Sequence, residues 1–235
     1  MKLRVAVLGL CLYAQTDFDA AKRRALGEGL VKDMLRGSRP LGDAIVQRYL
    51  HGVCERLAGK AGVPLQFEIV QAFDFREPLG LPGGIVIVPA TALLESVNEA
   101  ELAGLIAHAI GHASHPRGVA ALEADGFAHV FWRPHSEPLP LGLIPQSQRL
   151  ELEMDRFGAR LAQDAGYDAG GLESFVRRTQ APNAARSWMP PKMERLAALA
   201  PFADSPGQTT SSAFVHAKER LQATIRPARA PTLRR

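Results

Sequence analysis

Residues 98–114 read NEAELAGLIAHAIGHAS, and the reading of this stretch decides what the rest of the chain is built around. Asn98, followed three residues later by Glu101, predicts a capping box at a helix N-terminus. Leu102, Leu105, Ile106, Ile110 and Ala113 recur at helical spacing and predict an apolar stripe docked into a core. His108 and His112 stand four apart, so both imidazoles leave one face of that helix and can grip one metal ion. Gly111 costs about 1 kcal/mol of helix propensity relative to Ala, which predicts another backbone passing close to this turn; a tolerated surface glycine is the alternative. The chain holds seven histidines, and a pair at this spacing also arises in helices that bind nothing, so the pair alone does not make a site.

A second stretch changes that balance. Residues 149–168 read RLELEMDRFGARLAQDAGYD. Leu150, Met154, Phe157 and Leu161 predict an amphipathic helix, with Gly166 as its stop. Glu151 and Asp155 are again four apart. A ligand from a second helix would complete a three-ligand site with one open position, the arrangement that zinc enzymes need. Asp155, one turn on, can accept the free N–H of a ligating histidine and fix its tautomer. The alternative for both acids is a solvated face paired with Arg149, Arg156 or Arg160. In the zinc-peptidase pattern His-Glu-x-x-His, the glutamate takes a proton from water; here that position is Ala109.

Taken together, four blocks in order resemble the gluzincin zinc metallopeptidases of the HtpX, BepA, Oma and CAAX prenyl endopeptidase type. LPGGIVIVPATALLESV (81–97) is similar to that family's strand and following helix, and EAELAGLIAHAIGH (99–112) to its metal helix. ELEMDRFGARLAQDAGYD (151–168) resembles its Glu-x-x-x-Asp helix, and MPPKMERLAAL (189–199) its closing segment. The resemblance implies His108, His112 and Glu151 as zinc ligands with Asp155 behind them. It also implies that a sheet edge beside the metal helix receives a polypeptide as an added strand. Two departures matter. Ala109 stands where the family has its general base, and Met189 stands where the closing block has a histidine, while Pro190 and Arg195 keep their register. No catalytic residue is therefore carried over. General acid–base assistance is worth about 10²- to 10⁴-fold, so the expectation is a zinc-binding pseudopeptidase or very weak peptidase. An active zinc metalloendopeptidase with a base from elsewhere (Glu123, Asp125 or Glu137) and a metal-free partner-binding domain are the alternatives.

Composition bounds the rest. With 235 residues and 46% hydrophobic content, the chain can bury a full domain core. The start, MKLRVAVLGLCLYA, places Lys2 and Arg4 before ten apolar residues, too few to span a bilayer and suited to a secretory signal; this predicts export, to the periplasm or beyond. The net charge of +4 is concentrated at the ends: two cations in residues 1–14 and four arginines in residues 226–235 leave 22 cations against 24 acids between them. No nucleic-acid surface is implied. The basic end reads as flexible, with peripheral contact to anionic lipid as its one candidate role. Cys54 is the only cysteine after residue 14, so no intrachain disulfide is expected.

The expected architecture is an α+β, zincin-like fold, mainly helical, with a small β-sheet beside the metal helix. Its organisation is a signal over 1–14, a metallopeptidase-like domain over 15–200 and a C-terminal extension over 201–235. Helical periodicity runs over 17–36 and 42–59, the latter through Ile45, Tyr49, Val53 and Leu57. Leu65, Phe67 and Ile69 alternate and predict a strand, as does the run Ile85–Val88 after the turn residues Pro78 to Gly84. Residues 116–148 carry four prolines between 134 and 145 and predict a broken arch between the two ligand helices, a candidate lid. His129 and His135 within it are read as ordinary loop histidines, with a fourth-ligand role as the alternative. Substrate, client and oligomeric state are not encoded in any motif.

Overall fold

The computed structural model describes residues 20–36, 39–71, 76–114, 144–180 and 189–224. The signal segment, most of the arch with His129, His135 and the three loop acids, and the basic end lie outside the described residues. A helix through residues 20–34 (α1) precedes β1 (Arg39–Pro40), α2 (Ala44–Ala61), β2 (Gln66–Gln71), β3 (Leu79–Leu81) and β4 (Ile85–Pro89). Then come α3 (Thr91–Glu95), α4 (Glu99–Ser114), α5 (Ile144–Asp164), α6 (Gly171–Thr179), α7 (Lys192–Leu199) and α8 (Ser212–Thr224). The sheet order is β1-β2-β4-β3, with β2 and β4 parallel and β3 antiparallel on the β4 edge. This is the α+β, zincin-like arrangement expected.

The strand β4 is buried along its whole length, as a two-sided central strand should be. Val86 and Val88 face the main core with Ile69 and the apolar sides of α2 and α4. Ile85 and Ile87 face the other way, with Val70 and Leu81, beneath Leu30, Val31 and Met34 of α1. A third cluster, Leu105, Ala159, Leu172, Phe175, Val176, Leu196 and Leu199, joins α4 to α5, α6 and α7. Each large apolar side chain so buried contributes about 1.5–3 kcal/mol, and α4 takes part in two of the three clusters. Phe214, Ala217 and Leu221 of α8 also enter the main core, so residues beyond 200 contribute to the packed body.

Three expectations need correction. The segment Pro78–Gly84 is not all turn: Leu79–Leu81 pairs with Ile85–Ile87 as an edge strand, and only Pro82–Gly84 turns, through Gly83 and Gly84 at φ 81° and 78°. These are left-handed values that favour glycine. The buried stripe of α2 is Val46, Leu50, Val53, Cys54 and Leu57, with Ile45 exposed; steps of four residues drift about 40° each against a 3.6-residue turn, so a 45-49-53-57 reading slides off the buried face. The broken arch ends earlier than 148, because α5 begins at Ile144. Pro145 then falls in a first turn, where its missing N–H costs nothing.

Candidate metal centre

The helix α4 is central to the packing. Of its sixteen residues thirteen are buried, and the three that are not are His108, His112 and the terminal Ser114. Its start is fixed as the capping pattern predicts on one side: Glu101 N donates to Asn98 Oδ1 at 2.9 Å. The reciprocal bond is shifted by one residue, since the Glu101 carboxylate accepts from Val97 N at 3.0 Å. Glu101 is further held by Arg178 at 2.7 Å and Ser174 at 2.8 Å, and Glu99 by Tyr49 at 3.0 Å and Gln208 at 2.6 Å. Both acids are thus committed to holding the helix start, where negative charge is favoured by the helix dipole.

The structure brings His108, His112 and Glu151 together, their candidate ligand atoms all within 4.8 Å of one another. His108 Nε2 and His112 Nε2 are 3.1 Å apart. Glu151 Oε2 lies 3.3 Å from His108 Nε2, and Oε1 lies 3.4 Å from His112 Nε2. Atoms bound at about 2.0–2.1 Å to a tetrahedral zinc ion stand about 3.3 Å apart, so the spacing fits such an ion. The donor set of two imidazoles and one carboxylate fits it too. A further sign is that Glu151 Oε2 is buried with no hydrogen-bond partner, a cost that native proteins rarely leave uncompensated.

Asp155, fully buried, holds the arrangement from behind. Its Oδ1 is 3.1 Å from His108 Nδ1. Its other contacts come from Arg195 on α7, Nη2 to Oδ1 at 2.6 Å and Nε to Oδ2 at 2.8 Å, a bidentate pair. Arg195 Nη1 also donates to Gln180 Oε1 at 3.1 Å, and Gln180 Nε2 to Pro190 O at 2.8 Å. Burial works against the Asp155 anion, but Arg195 and His108 outweigh it and hold its carboxyl below the usual range. Burial likewise pushes Glu151 up, while His112 and His108 pull it well below the usual carboxylate range. On His108 burial opposes the charge, and the Asp155 and Glu151 carboxylates overcome it, raising the imidazole to about 9.

Ala109 is buried in the main apolar cluster, and no carboxylate is supplied by α4 itself at the ligand turn. Gly80 of β3 passes directly over that turn: a Cβ on it would meet Ala109 O at 2.0 Å and His112 Cβ at 2.8 Å. Met189 sits beside α5, its carbonyl accepting from Gln148 Nε2 at 3.5 Å. Two residues were not assigned by the sequence reading. Arg195 was noted only for its register, since nothing in a sequence pairs it with an acid forty residues away. Gly158 of α5 was passed over, and it decides the helix spacing: a Cβ there would lie 2.8 Å from His108 N. At Gly111 the neighbours are the side chains of Met154 and Phe157, so the close backbone approach expected there occurs at Gly158 and Gly80 instead. Gly158→Ala is accordingly expected to cost about 1–3 kcal/mol by overpacking, read as a lowered denaturation midpoint, with weaker metal retention because α5 carries Glu151.

The sequence profile of Peptidase family M48 matches residues 44–133, which takes in α2, the sheet strands β2 to β4 and both histidines. The Beta-barrel assembly-enhancing protease of Escherichia coli K12 is 26% identical over 170 residues, covering 61% of this chain and 35% of that protein. Its counterpart in Yersinia pestis is 26% identical over 180 residues, covering 66% and 37%. The chain therefore spans about a third of the length of these relatives. The resemblance read from the four blocks is borne out as a likeness: the chain is similar to the M48 metallopeptidases over these residues.

Proposed function

We propose that this M48-related chain is a zinc-binding protein of the metallopeptidase type that seats a polypeptide beside its metal helix and hydrolyses it slowly at best. One observation carries the reading. Three donor atoms from two helices converge at 3.1–3.4 Å, while the residue between the histidines is Ala109. Zinc, held by His108, His112 and Glu151, would supply Lewis acidity toward water and a peptide carbonyl. The chain's own residues would do the rest: Asp155 orients the His108 ring, Arg195 fixes Asp155, and β3, the outer strand of the described sheet, receives an added strand. The missing helix carboxylate removes about 3–5 kcal/mol of barrier lowering.

The polypeptide client and export to the periplasm belong to the same proposal. The first rests on the sheet edge beside the cluster and on relatives that are named proteases; the second rests on the residues from Lys2 to Ala14. Among the described residues no helix is long and apolar enough to cross a membrane.

Metal analysis and casein cleavage on the same preparation test the reading. The wild type is expected to hold one zinc per chain, and Glu151→Gln to lose more than about 100-fold in affinity, beyond the 10- to 100-fold typical of a residue that only orients a ligand. Wild-type protein that takes up no zinc from a stoichiometric excess would leave the metal-free partner-binding domain as the correct account.

A further inference from the structure

The support behind the metal helix extends one residue beyond Arg195. Gln180 caps the C-terminal end of α6, its backbone N–H donating to Val176 O at 3.1 Å, so its side chain starts from the end of a packed helix. Leu172, Phe175 and Val176 of α6 share a buried cluster with Leu196 and Leu199 of α7, and that packing sets how far Gln180 stands from Arg195. The half-buried amide makes two bonds of opposite sense. Its Oε1 accepts from Arg195 Nη1 at 3.1 Å, and its Nε2 donates to Pro190 O at 2.8 Å. An amide offers an acceptor and a donor on one planar group, which neither a carboxylate nor an ammonium does.

The guanidinium is thereby held from two sides. Nε and Nη2 of Arg195 lie along one edge and bind the two oxygens of Asp155 at 2.8 and 2.6 Å. A planar group held along one edge can still tilt about it, and the bond to Nη1 on the other side removes that freedom. The bidentate pair passes the restraint to the plane of the Asp155 carboxylate, whose Oδ1 stands 3.1 Å from His108 Nδ1. Each link is buried or half-buried, where such bonds are strengthened by the low local dielectric. We propose that Gln180 is a positioning residue of the metal centre: it holds the His108 ring in its ligating orientation through Arg195 and Asp155, and it ties the closing segment at Pro190 to the same chain of contacts. The inference rests on the metal-binding reading above and deepens it.

Cobalt(II) binding to the full chain, followed by visible absorption, tests it without turnover. Gln180→Met keeps the length of the side chain and loses both bonds. Its cobalt affinity is expected to fall about 3- to 10-fold, less than the 10- to 100-fold typical of a group that bonds to the ligand directly. Gln180→Glu keeps an acceptor for Arg195 and should bind cobalt more tightly than Gln180→Met. In an Arg195→Met background, Gln180→Met should change the affinity by less than about twofold, the scatter of independent changes, because the path to His108 is already cut. If the Arg195→Met protein does not fold, the ranking of Gln180→Glu above Gln180→Met decides alone. A Gln180→Met protein that loses thermal stability but keeps wild-type cobalt affinity overturns the inference. So does an equal loss of affinity in both backgrounds, or a Gln180→Glu protein no better than Gln180→Met. Failure of the wild type to take up cobalt is a different result, which overturns the metal-centre reading itself and this inference with it.

Discussion

Zinc-loaded Ala109→Glu protein is expected to cleave casein about 10²- to 10⁴-fold faster than the wild type, the range that a positioned general acid–base supplies. Position 109 follows the first histidine directly, on a helix whose place is fixed by two apolar clusters. A carboxyl carried there moves with His108 and needs no loop to deliver it. Its cost is local: Ala109 is 1% exposed, with β3 lying over its carbonyl, so the revertant should be less stable and is to be compared well below its Tm. Adding Met189→His tests whether the closing segment limits the rate as well, and the double variant is expected to exceed the single one. A wild type that cuts as fast as both variants would show that position 109 does not limit this protein.

Arg195→Met should destabilise the protein by about 3–5 kcal/mol, the usual cost of leaving one partner of a buried pair uncompensated. Asp155 is fully buried, and Arg195 supplies two of its contacts at 2.6 and 2.8 Å. Methionine fills much of the volume and satisfies none of the charge. For a chain of this size the loss corresponds to a Tm lowered by roughly 6 to 20 °C. Because Asp155 Oδ1 lies 3.1 Å from His108 Nδ1, where the proposed zinc site would use it to orient the ring, zinc affinity should fall by about 10- to 100-fold. Arg195→Lys keeps the charge without the two-pronged geometry and should fall between the two. Thermal denaturation with and without zinc checks both statements, and a loss below 1 kcal/mol would mean that Asp155 finds other compensation.

Much of the fold could be read from residues because local periodicity and burial agree there. The stripe Leu102–Ala113 is buried as predicted, the alternation Leu65, Phe67 and Ile69 faces the main core, and Gly166 closes α5 at a φ of 80°. The errors fell where a local signal had two solutions. Glycine and proline around Gly80 read as turn, but Gly80 is small because α4 passes against it, and its neighbours are free to pair as a strand. The four-residue spacing on α2 looked like a stripe until the turn of the helix carried it away from the core.

The amino-acid order by itself determined the pairings that live within one helix: His108 with His112, Glu151 with Asp155, and the alanine that interrupts the peptidase pattern. Those follow from 3.6 residues per turn and need no neighbour. Only the packed chain decided that the two helices meet at Gly158, that Glu151 stands 3.3 Å from His108, and that Arg195 is the partner of Asp155. Such contacts join residues about forty to fifty positions apart, and their geometry is set by how close two backbones can approach, which no one-dimensional spacing records.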